Sequence, residues 1–209
     1  MAKKILTDVE IDGTLTVGGS SVTALVTSGS FTASSSVNVD NCFTSIHDDY
    51  FIVVNISAVS NDAVWLGGYL RASSANETGA VYKTSLLDHS GTSMLLTSNN
   101  ASTEIYLMDA ITTTYDTMVS RITFNSPALA TATGFMTDTA REIAASSDMR
   151  VITIRGVVAT TTIYDGFSLA ISAGTMTGTY RVYGLPKARL EITSRPDSSD
   201  AVIASQVFS

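Results

Sequence analysis

Few side chains in this sequence of 209 residues are suited to making or breaking bonds. The two histidines each stand beside aspartate, in His47-Asp48-Asp49 and Asp88-His89. Imidazole nitrogens and carboxylate oxygens in company are donors that a divalent metal accepts. Their spacing matches no zinc motif, however, and a polar turn holding His and Asp is ordinary surface, so no metal site is expected. The single cysteine, Cys42, has no partner for a disulfide within the chain. It sits between Val39 and Phe43 in a strand-like run and reads as a buried, unreactive thiol. The sequence has no Gly-x-Ser-x-Gly elbow, no Walker loop and no strand-linked Gly-x-Gly-x-x-Gly. A glycosidase-type pair of carboxylates meets only in three dimensions and stays open at this point. Most of the acids, among them Asp12, Asp62, Asp88 and Asp197, fall in turns, where turn chemistry accounts for them. The expectation is a non-enzymatic protein with no catalytic residue, cofactor or metal.

Binding chemistry is equally sparse. The net charge is −7, and the basic residues are scattered apart from Lys3-Lys4 and the loose group Arg181, Lys187, Arg189 and Arg195. Nucleic-acid binding needs a basic stripe that displaces counterions, so that class is set aside. An exposed tryptophan could stack on a sugar. Trp65 lies in Ala63-Val64-Trp65-Leu66 with apolar neighbours on both sides, which points to a core position. The sequons at Asn55, Asn76 and Asn100 are what chance produces in a chain rich in Ser and Thr. The opening Met-Ala-Lys-Lys-Ile is not a signal peptide and no segment is long and apolar enough to span a membrane, so synthesis in a cytoplasm is expected.

The elements that would position any site are strands. Hydrophobic residues make up 44% and charged residues 15%, so the chain folds but its surface is covered mainly by hydroxyls. Threonine suits a pleated surface, and burying a hydroxyl against a neighbour costs far less than burying a charge. Such a surface fits a lattice or fibre subunit. Ile5, Thr7, Val9 and Ile11 alternate with Leu6, Asp8 and Glu10; Asp12-Gly13 marks a turn, and Leu15 and Val17 lead to another at Gly18-Gly19. Strands are expected over Phe31 to Phe43 (one or two), Tyr50 to Val59, Ala63 to Ala72, Ser93 to Thr97, Glu104 to Met108, Thr117 to Phe124, Met149 to Val158, Gly166 to Ser172 and Gly178 to Leu185. The best helix candidate is Thr139 to Ser146. Strands at this spacing, with turn signals between them, predict an all-β, antiparallel β-sandwich, jelly-roll-like.

The run Asn41-Cys42-Phe43-Thr44-Ser45-Ile46-His47-Asp48-Asp49-Tyr50-Phe51-Ile52-Val53-Val54 resembles a pattern of bacteriophage virion proteins. In these a Phe-Thr/Ser segment and an acidic turn precede a hydrophobic strand. Tyr164-Asp165-Gly166-Phe167-Ser168-Leu169 and Gly178 to Leu185 look like the closing strands of the same modules. Val9 to Gly19 is similar to the attachment segments of phage fibres, whereas Ala75 to Ser147 carries no such likeness. The resemblance implies a β-sandwich, commonly trimeric, mounted on the virion.

Three segments follow. Residues 1–28 are expected to be a strand-rich attachment or stalk segment, 29–185 the sandwich head, and 186–209 a C-terminal extension docked on its own or a neighbouring subunit. Ile5, Val9, Ile11, Leu15, Val17, Val202, Ile203 and Phe208 are the candidate residues for virion attachment and oligomerisation. The leading expectation is a trimeric tail-fibre or spike-like appendage that docks by its N-terminus on other virion proteins and contacts the host surface. A head decoration (cement) protein is the first alternative, a carbohydrate-binding module for a host-surface glycan the second, and a polysaccharide-degrading enzyme the last.

Overall fold

A computed structural model of the protein describes residues 23–90, 92–113, 118–143 and 148–185, with the backbone of 16–17 and 20–21. Every regular element among the described residues is a strand. In chain order these are β1 (Thr16–Val17), β2 (Ser20–Ser21), β3 (Ala24–Ser34), β4 (Ser36–Val39), β5 (Asp49–Val59), β6 (Val64–Ala72), β7 (Ala75–Asn76) and β8 (Tyr82–Ser90). They continue with β9 (Ser93–Ser102), β10 (Ile105–Ile111), β11 (Met118–Asn125), β12 (Thr133–Ile143), β13 (Asp148–Val158), β14 (Gly166–Ile171) and β15 (Met176–Leu185). Strands β1 and β2 pair with each other and with no other described strand; the turn expected at Gly18-Gly19 lies outside the described residues.

The remaining strands form two antiparallel sheets of unequal width. The large sheet runs β3-β15-β5-β11-β12-β13-β8-β9; the small one runs β10-β6-β14-β4, with β7 paired to β6. Alternation along β5 shows why they pack together: Tyr50, Ile52, Val54 and Ile56 are buried, while Phe51, Val53 and Asn55 are only half-buried. Successive strand residues point to opposite faces, so one face of β5 turns entirely into the core. Val64, Leu66 and Leu70 of β6, Ile105 and Leu107 of β10, and Phe167, Leu169 and Ile171 of β14 supply the opposing layer. At one end of the sandwich Phe43 sits 4.7 Å from Tyr50, 5.6 Å from Phe124 and 6.3 Å from Phe167, centroid to centroid, joining both sheets. Each fully buried aliphatic or aromatic side chain is worth about 1.5–3 kcal/mol relative to exposure. The all-β sandwich expected from the sequence is therefore the fold observed.

Several local expectations change. Thr139 to Ile143 belongs to β12, not to a helix. The strand lies between β11 and β13 and pairs with both along its length, and ladders on two sides outweigh local helix propensity. Trp65 is half-buried; its neighbours Val64 and Leu66 take the core positions, and Trp65 alternates away from them. His47 is buried rather than on the surface, 5.8 Å from Tyr50 and against Gly184. His89 is exposed and Cys42 is buried and free, as expected. Strand β3 begins at Ala24, so residues 24–28 form part of the large sheet.

Candidate functional site

A groove opens on the described surface where the large sheet outgrows the small one. The small sheet ends at β10, which packs over β12 and β13. Strands β8 and β9 continue past it, and their inner side is left uncovered. Facing pairs in the ladders identify that side: Ile152 with Asp88 and Ile154 with Leu86, then Asp88 with Leu95 and Leu86 with Thr97. Ile152 and Ile154 are core residues, so Leu86, Asp88, Leu95 and Thr97 share their face.

Together with the edge of β10 this overhang forms a groove of about 510 Å³, with Thr84, Leu86, Asp88, Leu95, Thr97 and Asn99 as its floor and Glu104 and Tyr106 as its wall. The chain passes from β9 to β10 through Thr103 and Glu104, which closes one end; there the Ser102 hydroxyl donates to the Glu104 carbonyl at 2.8 Å. The charged side chains of the groove are held by an ion pair and a hydrogen bond. Arg150 Nε donates to Asp88 Oδ1 at 3.0 Å, and both side chains are largely buried. Glu104 Oε2 accepts from the Tyr69 hydroxyl at 2.7 Å. Burial, and after it that bond to a carboxylate, pushes the Tyr69 hydroxyl up to about 12.

Strand β9 forms the outer rim. It is the edge of the large sheet, and it is exposed on both faces through almost its whole length. Its sequence, Ser-Met-Leu-Leu-Thr-Ser-Asn-Asn-Ala-Ser, holds no charged residue and no proline. Met94, Leu95 and Leu96 are 71%, 56% and 71% exposed. A register shift puts one extra residue in β9 between Asn99 and Ser102, but neither lysine nor proline blunts the rest of the edge, whose free N–H and C=O groups template pairing with another chain. At the far edge β3, Ala24–Ser34, is likewise free of charge and proline, with Leu25 exposed.

The strongest polar cluster elsewhere is structural. Buried Arg71 donates to Asp40 at 2.7 Å, to the Ser74 carbonyl at 2.6 Å and to Asn76, tying β6 to β7 and to the chain after β4. Among the described residues, no group of three or more His, Cys, Asp or Glu side chains could hold a metal ion. No helix there is long and apolar enough to cross a membrane.

Of the residues singled out in the sequence, Ile5, Val9, Ile11, Leu15, Val202, Ile203 and Phe208 lie outside the described residues. Val17 is placed only by backbone, paired with Ser20. Sequence reasoning marked Ser93 to Thr97 as a strand but missed it as an edge. The signal lay in its apolar triplet followed by uncharged polar residues, which is unlike the alternation of a half-buried strand. Compared with known proteins, the chain matches no protein-family model and no curated protein.

Proposed function

We propose that this chain is a non-enzymatic structural protein of a bacteriophage virion, an appendage subunit of the tail-fibre or spike type that works by assembling with other chains. The observation that carries the reading is β9: an edge strand of ten residues, exposed on both faces, bearing Met94, Leu95 and Leu96 and no charge. An apolar, uncharged edge is a liability in a freely diffusing protein and an asset in one that is meant to be joined. The virion itself comes from the sequence resemblance.

A head decoration protein is the second reading. It is favoured by the presence of uncharged edges on both sides of the same sheet, at β3 and β9, since a lattice subunit needs two lateral joints. The experiment is incorporation into particles. Truncation after residue 22 leaves β3 whole. The full chain is expected to co-purify with virions, and the truncated chain to fold, judged by circular dichroism, but to stay out of them. Absence of the full chain from purified virions overturns the proposal. Hundreds of copies per particle favour decoration over appendage.

A further inference from the structure

We propose that the overhang is one half of a two-fold joint between two copies of this chain, in which β9 of each copy pairs with β10 of the other. The inference rests on the assembly reading above and names the partner and the contact.

The geometry follows from three features at the same end of the molecule. The large sheet projects past the small one by two strands, β8 and β9. Both sheets end there in an edge strand to which no other described strand is paired on the outer side, β9 in one layer and β10 in the other. Within one chain these two strands run in opposite directions: β9 leads away from the β8 turn to Ser102, and β10 returns so that Ile111 reaches Val64.

Rotate a second copy by half a turn about an axis parallel to the strands and the layers exchange while strand direction is kept. The second copy's β9 then lies beside the first copy's β10 in antiparallel order, its β8 lies above the first copy's β9, and the reverse contact forms in the other layer. Each overhang covers the uncovered floor of the other, and both sheets run continuously through the joint. The two-strand width matches on both sides because the sides are identical.

Chemistry and area agree with this arrangement. β9 brings no charge into the groove, and Asp88 and Arg150 on the floor already neutralise each other. Leu86 and Leu95, the apolar floor residues, would meet their counterparts across the axis. About seven residues of overlap, strands ~4.8 Å apart and a sheet ~10 Å thick give roughly 700 Å² per copy for one face and two edges. That is close to the ~800 Å² per partner of a standard stable interface. Complementary edges on one side of a molecule close as a two-fold pair, whereas a three-fold ring needs them on different sides.

The test is the mass of the full-length chain by light scattering, with circular dichroism as the folding control. The wild-type chain is expected at two-chain mass. Leu95→Lys puts a charge on the exposed floor and is expected to halve the mass with an unchanged spectrum. Leu25→Lys, on the opposite edge β3, is expected to leave the mass at two chains. A wild-type mass of one or three chains overturns the joint, as does a Leu95→Lys variant that remains paired. None of these results touches the virion reading, which stands or falls on incorporation into particles.

Discussion

Cys42 shows how a residue readable in the sequence acquires its measurable behaviour from burial. The thiol is enclosed between the sheets, with Sγ donating to the Val39 carbonyl at 3.6 Å, and desolvation pushes it up from 9.0 to about 12. The folded state therefore holds the proton more tightly than the unfolded chain. The resulting stability is fully present below 9.0 and is lost as pH rises toward about 12. Tyr69, raised by burial and by Glu104, adds loss of the same sign. Urea midpoints measured across that range are expected to fall. Cys42→Ala should make the fall shallower by an amount on the order of a few kcal/mol at its alkaline end. A thiol reagent at neutral pH should label the native chain only after denaturation; rapid native labelling would contradict the burial. His47 and Trp65 illustrate the converse. Their neighbours in the sequence suggested surface and core respectively, but Gly184 on β15 covers the one, and alternation along β6 turns the other away from the core.

At the scale of elements, strands were legible where their inward faces are apolar. β5 and β14 stand out because Ile52, Val54, Phe167 and Leu169 face the core. β12 did not, because its buried set is Thr133, Phe135, Thr137, Thr139 and Arg141. Thr139 Oγ1 and Ser120 Oγ share a hydrogen bond of 2.8 Å inside the sandwich, so a polar inner stripe hides the period-two pattern on which strand recognition depends. β8 was missed for a related reason: its inner residues are Tyr82, Thr84, Leu86, Asp88 and Ser90, and the groove admits their polarity. Glycine has an element-level role in β15. At Gly178 the ladder to β5 shifts register, and a Cβ there would meet the Asn55 carbonyl oxygen and the Phe31 ring. A residue without a side chain lets the bulged strand lie this close to its neighbour. Gly178→Ala is expected to destabilise the fold by about 1–3 kcal/mol, read as a lower denaturant midpoint. An unchanged midpoint would mean that the bulge relaxes freely.

For the whole molecule, the two sheets share one continuous core, in which Phe43 touches rings from β5, β11 and β14. Neither sheet could keep its inner face dry alone, so they should unfold together. The chain offers a clean test, since Trp65 is the only tryptophan and lies in the small sheet, whereas most strand residues lie in the large one. Trp65 fluorescence and far-ultraviolet circular dichroism are expected to give coincident thermal midpoints. An earlier fluorescence transition would show the small sheet leaving first. Fold class was legible at this scale, because threonine-rich, weakly charged strands punctuated by Asn-Asp and Gly-Gly turns have few other destinations. The candidate site was not, since it exists only as a difference in width between two sheets.

What the amino-acid order determined alone is the local alphabet: the all-β class, most of the strands, the apolar run Tyr50 to Val59 among them, and the buried Cys42. These depend on side-chain period, turn chemistry and hydrophobicity within a few residues. Tertiary structure alone decided that β3 and β9 are edges, that β10 stops short above β13, and that Leu95 faces an open groove. The pairing of β15 with β3 and β5, and of β13 with β8, joins residues far apart along the chain. Side-chain patterns set which face of a strand is apolar; which strand lies beside it follows from packing of the complete molecule.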